Sequence, residues 1–210
     1  MNTVILRLPR MPITSAKPRN RLRIIGGDWR SRIVEFADTP DVRPTPDRVR
    51  ETLFNWLQPV IAGAHCLDVF AGSGVLGFEA LSRGAASVVA LELDPKAATA
   101  IRLNAKTLQT AKLKLEQRSG LEWLGSNVQQ QRFDVVFLDP PFAANLFADC
   151  CRLLAEQQWL APRALVYLES GASLETLTLP EGWKLIRHKR AGAVHYGLCE
   201  APVVRAASFN

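Results

Sequence analysis

The sequence predicts an α/β fold: a mostly parallel sheet closed by a C-terminal antiparallel hairpin, with a small N-terminal β-hairpin appended. Three observations predict it. From residue 61 onward, short apolar runs alternate with helical segments, the pattern of a parallel sheet covered on both faces. The run "WKLIRHKRAGAVHYGLCEAP" breaks the alternation, because two strand-like segments flank a turn at Ala191-Gly192. Before residue 61, "RLRIIGG" and "SRIVEF" flank "GGDWR", a hairpin with Gly26 and Gly27 at its turn. The chain therefore divides into a disordered basic tail (1–20), a hairpin-and-helix extension (21–60), an α/β domain (61–204) and a short tail (205–210).

Taken in order, "DTPDVRPTPDR" is a proline-punctuated loop, and Asp47 is the expected N-cap of a helix through "RVRETLFNWL". Val49, Leu53, Phe54 and Leu57 give that helix one apolar face. "HCLDVF" is a strand and "VLGFEALSRG" a helix ending at Gly84. "SVVALEL" is a strand, and the next helix begins at about Pro95, with Asp94 as its cap. "LKLEQ", "LEWLGSNV" and "FDVVFLD" read as strand, short helix and buried strand. "NLFADCCRLLAEQQWL" is a helix and "ALVYLES" a strand, followed by the terminal hairpin.

Composition narrows the function classes. Of the residues, 48% are hydrophobic and 22% charged, the ordinary soluble globular range. No apolar run approaches the ~20 residues needed to cross a bilayer. The four cysteines form no C-x-x-C pair and the three histidines are scattered, so no metal is expected, and a reducing, cytoplasmic setting is. Residues 1–50 hold 11 Lys/Arg against 5 Asp/Glu, whereas the rest is balanced at 15 and 15. A polyanion met by the N-terminal part, or a solubilising tail, accounts for that asymmetry. The Arg-rich, acid-free start reads as a disordered tail, with an organellar transit peptide as the alternative.

In "LDVFAGSGVLG" the residues Gly72, Gly74 and Gly77 have the G-x-G-x-x-G spacing of a dinucleotide turn. Asp68 near the strand tip argues against a pyrophosphate, which a carboxylate repels. An acid there suits a cationic ligand, such as an amino acid ammonium near a sulfonium. The stretch Asp68, Phe70, Ala71, Gly72, Ser73, Gly74 resembles the turn of class I S-adenosylmethionine-dependent methyltransferases, which implies a Rossmann-like sheet. Glu92, ending "ALE", is then the expected acceptor for two ribose hydroxyls, beside Leu93. Gly120 and Leu121 follow the third strand, where this fold lines the adenine pocket. Gly77 is expected to be a helix–strand packing glycine.

The strand "FDVVFL" ends in Asp139-Pro140-Pro141-Phe142. Two prolines stiffen the turn and leave carbonyls without ladder partners. An exocyclic amine on a nucleobase is a poor nucleophile, because its lone pair is delocalised into the ring. Hydrogen bonds from that amine to Asp139 and to the Pro140 carbonyl favour a pyramidal nitrogen, and Phe142 can stack on the base. No metal or covalent nucleophile is needed, and the base must first leave its stack.

Together with "RIIGGDWRSR", "RPTPDRVRETLFNWL" and the terminal hairpin, these motifs resemble the bacterial RsmD family, over about 21–204. The resemblance implies methyl transfer from S-adenosylmethionine to N2 of one guanine in 16S ribosomal RNA, within a small subunit or its assembly intermediate, by a monomer. It places Arg43, Thr45 and Arg48 on a loop closing over the methionine end of the cofactor. It places Arg21, Arg23, Arg30 and Arg32 against RNA phosphates; Lys189 and Arg190, basic residues in the terminal hairpin's turn, are further candidates for phosphate contact. Pro46 stands where relatives commonly have Thr, and Ser31 where they commonly have Gly. Other readings are methylation of adenine N6 or another base amine in RNA or DNA, an NAD-dependent oxidoreductase, and a catalytically dead RNA-binding factor.

Overall fold

The computed structural model describes residues 20–38, 44–126, 131–141 and 146–202. Of the expected tails at 1–20 and 205–210, residues 1–19 and 205–210 lie outside the described residues, as do Arg43 and Phe142, whereas Asn20 belongs to the first strand and not to a tail. A hairpin of β1 (Asn20–Arg23) and β2 (Ile33–Phe36) precedes α1 (Asp47–Leu57). The alternating part runs β3 (His65–Asp68), α2 (Val75–Ser82), β4 (Ser87–Leu91), α3 (Pro95–Thr107), β5 (Leu113–Glu116), α4 (Gly120–Leu124), β6 (Phe133–Leu138), α5 (Phe147–Glu156) and β7 (Leu160–Ser170). After a 3-10 turn at Leu174–Thr176, β8 (Lys184–Ala191) and β9 (Val194–Glu200) form the terminal hairpin.

The seven-stranded sheet has the order β5-β4-β3-β6-β7-β9-β8. Strands β3 to β7 are parallel, and β9 is antiparallel to both its neighbours. Strand order reverses between β3 and β6, so the carboxyl ends of these strands flank the crevice where open α/β sheets bind ligands.

The strand period of two splits the core. Cys66, Val88, Ala90, Val135, Phe137 and Tyr167 pack with α1, α2 and α3 on one face. Leu67, Val89, Leu91, Val136, Leu138 and Leu168 pack with α4 and α5 on the other. Gly77 lets α2 lie close on the sheet: a Cβ there would meet Val88 Cγ1 at 3.1 Å. Asp94 caps α3, accepting from the N–H groups of Lys96 and Ala97, both at 2.8 Å.

Buried polar groups tie the N-terminal extension to this core. Glu79 on α2 is fully buried and accepts from Arg50 Nη1 (3.0 Å), Arg83 Nε (3.4 Å) and the backbone N–H groups of Ile25 and Gly26. Ser82 Oγ accepts from Trp29 N–H at 2.9 Å and donates to the Gly26 carbonyl at 2.6 Å. These bonds draw the connection between β1 and β2 into a loop over 24–32, wider than a tight turn at Gly26-Gly27. Trp29 packs against the core from that loop. Ser31 has φ +69°, the left-handed conformation that favours glycine.

Asp47 is not the N-cap of α1. Pro46 holds that position, with no side-chain cap, whereas a Thr there could supply a capping hydroxyl. Asp47 instead pairs with buried Arg50 (2.6 Å), whose Nε also donates to the Thr45 carbonyl.

Candidate active site

Four acids stand at the carboxyl edge on four successive strands of the sheet. They are Glu92 after β4, Asp68 at the end of β3, Asp139 after β6 and Glu169 near the end of β7. Asp68 and Glu169 follow Cys66 and Tyr167 by one strand period, so they share the face covered by α1 and α2. Two of them feel a neighbour's negative charge: Glu92 acts on Asp68, and both Glu169 and Asp68 act on Asp139.

On the β3–β4 side, backbone N–H groups hold the acids. Asp68, 3% exposed, accepts from Gly77 and Phe70 N–H. Burial first, and then the charge of Glu92, push its carboxyl up to about 7. Glu92 accepts from Gly72 N–H through one oxygen and Asp94 N–H through the other, both at 2.7 Å. Burial raises its carboxyl, and these N–H groups offset only part of that rise.

The glycine turn is therefore latched to the end of β4. Ala71 N–H adds a bond to the Leu91 carbonyl (2.9 Å), and Gly74 ends the turn with φ +74°. Any side chain at Gly74 would be strained, and its Cβ would stand 3.0 Å from Ile101 Cγ1. Ser73 is buried, and its Oγ accepts from Val75 N–H at 3.3 Å. Phe70 and Leu121 are half-buried against the second core, while Leu93 is 68% exposed beside Glu92. Gly120 opens α4 against β3, where a Cβ would stand 2.5 Å from the Val69 carbonyl oxygen.

These residues suit the cofactor. Two uncompensated carboxylates fit a cationic amino acid end and a pair of ribose hydroxyls, and they are ill matched to a pyrophosphate.

On the β6–β7 side, Asp139 is half-buried and Pro140 buried. Burial, then Glu169, then Asp68 hold the Asp139 carboxyl well above its ordinary range. Glu169 is 5% exposed and accepts from the Tyr167 hydroxyl at 2.6 Å and from the Thr45 hydroxyl. Pro140, Pro141, Phe147, Glu169 and Gly171 line a cavity of about 360 Å³. Sequence reasoning missed Glu169. A larger cavity, about 890 Å³, lies between β2 and α3 and shares no residue with the acid row.

The structure distributes the expected loop and RNA-contacting residues widely. Thr45 is buried against Glu169, and Arg48 is exposed on the first turn of α1. Lys189 and Arg190 are exposed in β8 near the hairpin tip, and β9 pairs His195 with Ser170, which sets that tip at the carboxyl edge. Lys189 Nζ lies 6.0 Å from the Trp56 ring, which stacks on Tyr196 at 5.7 Å. Arg21, Arg23, Arg30 and Arg32 are exposed. Arg32 donates to the carbonyl of Thr107, the last residue of α3, and Asp28 N–H to that of Ser82, the last of α2. The loop bearing Arg30 and Arg32 thus sits by helix ends at the amino edge, opposite the acid row. Arg21 pairs with Glu35 at 3.5 Å. Among the described residues, no cluster of acids, histidines or cysteines could hold a metal, and no helix is long and apolar enough to cross a membrane.

The parallel sheet with its antiparallel terminal hairpin, the latched glycine turn and the acid row define a class I S-adenosylmethionine-dependent methyltransferase. The family described as Conserved hypothetical protein 95, the RsmD family, matches residues 22–200, and the chain belongs to it. It is 46% identical over 188 residues to the ribosomal RNA small subunit methyltransferase D of Haemophilus influenzae, covering 89% of this chain and 97% of that protein. The Escherichia coli protein of the same name is 44% identical, over 85% of this chain and 89% of its own. The solved structure of yhhF from Escherichia coli superimposes with a TM-score of 0.78 at 43% identity, covering 88% of this chain and 99% of that one.

Proposed function

We propose that the chain transfers a methyl group from S-adenosylmethionine to the exocyclic N2 amine of one guanine in 16S ribosomal RNA. The observation that carries this reading is the Asp139-Pro140-Pro141 turn, one strand from the glycine turn across the switch in strand order. The Haemophilus influenzae and Escherichia coli relatives are named for small-subunit ribosomal RNA, which supports the substrate.

Bound S-adenosylmethionine supplies a methyl group made electrophilic by positive sulfur. Glu92 accepts from the ribose hydroxyls with the lone pairs that Gly72 and Asp94 leave free. Asp68, and the turn from Phe70 to Gly74, seat the cationic methionine end. Leu93, Gly120 and Leu121 enclose the adenine. Arg43 and Thr45, ahead of α1, and Arg48, on its first turn, close over the methionine carboxylate, where an arginine would pair with it.

Asp139 and the Pro140 carbonyl accept the two N2 hydrogens and aim the nitrogen lone pair, while Phe142 stacks on the base. As the N–CH₃ bond forms and the S–CH₃ bond breaks, the nitrogen becomes cationic and its surplus proton passes to Asp139. Lys189 and Arg190 hold RNA phosphates beside this turn, and Arg21, Arg23, Arg30 and Arg32 hold phosphates farther along the molecule. The partner is the small ribosomal subunit or its assembly intermediate, met by a monomer.

Mass-spectrometric mapping of methylated nucleosides in ribosomal RNA, from cells with and without the gene, tests the reading. Loss of one N2-methylguanosine from 16S RNA is the expected result. Loss of an N6-methyladenosine instead, or methylation of DNA alone by the purified protein, would overturn it.

A further inference from the structure

Glu169 is the one acid of the carboxyl edge that the proposed reaction leaves without a task. A buried carboxylate kept only for structure is ordinarily matched by a cation. Glu79 has two such partners, Arg50 and Arg83. Glu169 has none among the described residues: its partners are two neutral hydroxyls, Tyr167 and Thr45, and its charged neighbour is another acid, Asp139. A carboxylate offers about four acceptor sites, so two hydroxyls leave capacity for a further donor. Leu138 pairs with Leu168, so Asp139 and Glu169 follow on adjoining strands at the carboxyl edge.

Two neighbouring carboxylates on adjoining strands, with no cation between them among the described residues, call for a ligand with two neighbouring donors. Guanine has that edge, since its N1–H and its 2-amino group lie side by side. Adenine and cytosine place an unprotonated ring nitrogen beside their amines, and its lone pair would oppose a second carboxylate. We propose that Glu169 is a specificity-determining residue that selects guanine by accepting its N1–H, while Asp139 and the Pro140 carbonyl hold the 2-amino group. This rests on the guanine-N2 reading above. Tyr167 and Thr45 then act as positioning residues that fix the carboxylate toward the base. Burial and the adjoining Glu169 hold the Tyr167 hydroxyl protonated, so it remains a donor.

The substrate can be altered as well as the enzyme. Small subunits are assembled from ligated 16S RNA carrying 2-aminopurine at the methylated position. This base keeps the 2-amino group but has a bare N1. Wild-type protein is expected to methylate it with a kcat/KM about tenfold to a hundredfold below guanosine, the worth of a hydrogen bond to a charged group. In Glu169→Gln the amide can donate to a bare N1, so guanosine loses rate and the ratio between the two bases moves toward one. Tyr167→Phe, which keeps the carboxylate but frees it, should narrow the ratio partway, and S-adenosylmethionine binding by calorimetry should be unchanged in both variants.

A wild-type protein indifferent to the two bases would overturn the proposal. So would both variants keeping the wild-type ratio, or Tyr167→Phe keeping it should Glu169→Gln fail to fold. In these outcomes the product is still N2-methylguanosine and the guanine-N2 reading stands. A methyl group found on another base amine would defeat that reading itself.

Discussion

On β3 and β4, Asp68 and Glu92 receive backbone N–H groups from Phe70 and Gly77, and from Gly72 and Asp94. On β6 and β7, no hydrogen-bond donor among the described residues reaches Asp139, and only side-chain hydroxyls reach Glu169. Both pairs are destabilised as anions by burial. The first is fixed by the main chain and so has its shape before any ligand arrives. The second keeps acceptor capacity free for donors that the substrate must bring. A cofactor common to every turnover suits a rigid, backbone-built half, and a base that must be chosen suits a half whose acids are satisfied only by the right partner.

The two halves should differ most at Asp139. Asp139→Asn removes the acceptor that the reacting amine needs, and methyl transfer at saturating cofactor should fall about 10³-fold, as when one preorganised polar contact to a transition state is lost. Cofactor affinity measured by calorimetry should stay put. A matching collapse of cofactor binding would show that the two halves are not separable.

Glu79 supplies the contrast of an acid held by cations. Glu79→Gln leaves the fully buried Arg50 with Asp47 as its remaining acid partner, and stability should drop by about 3 kcal/mol in urea unfolding, the scale for breaking a buried pair. Glu169→Gln removes a buried charge that has no cation, so its unfolding midpoint should not fall comparably. Equal losses in the two variants would make Glu169 a structural acid. At the cofactor half, Glu92→Gln should weaken S-adenosylmethionine binding by about tenfold to a hundredfold while kcat at saturation is largely kept. A loss confined to kcat would misplace Glu92.

Much of this arrangement is legible in the chain because it is local. The apolar runs of β3, β4 and β6, the glycine turn, the Asp94 cap and the Pro-Pro turn each announce themselves within ten residues. The parts that escape are long-range. In "ALVYLES" Glu169 is only an acid at a strand end; its meaning comes from the register that pairs Leu138 with Leu168 and so brings Asp139 alongside. Arg50 and Glu79, 29 residues apart, meet only when α1 packs on α2. That pairing also explains why Asp47 turns toward Arg50 and gives up the cap expected of it. The basic hairpin shows the same limit: its arginines are obvious in sequence, but the bonds to Ser82 and Thr107 decide which edge its loop faces.

The smallest effect concerns protons, and it compares the halves without disabling either. The Asp68 carboxyl, raised to about 7, binds its proton more tightly in the folded chain than in the unfolded one. Its contribution to stability is therefore fully present below the unfolded value and is lost as pH rises through the folded value. A cationic ligand end beside it favours the carboxylate and lowers that value again. S-adenosylmethionine binding at about pH 6 should thus release a fraction of a proton, seen as a dependence of binding enthalpy on the ionisation enthalpy of the buffer. Asp68→Asn should abolish the release, whereas Glu169→Gln, on the half that awaits the base, should leave most of it. Proton uptake on binding, or release that persists in Asp68→Asn, would remove Asp68 from the cationic end of the cofactor.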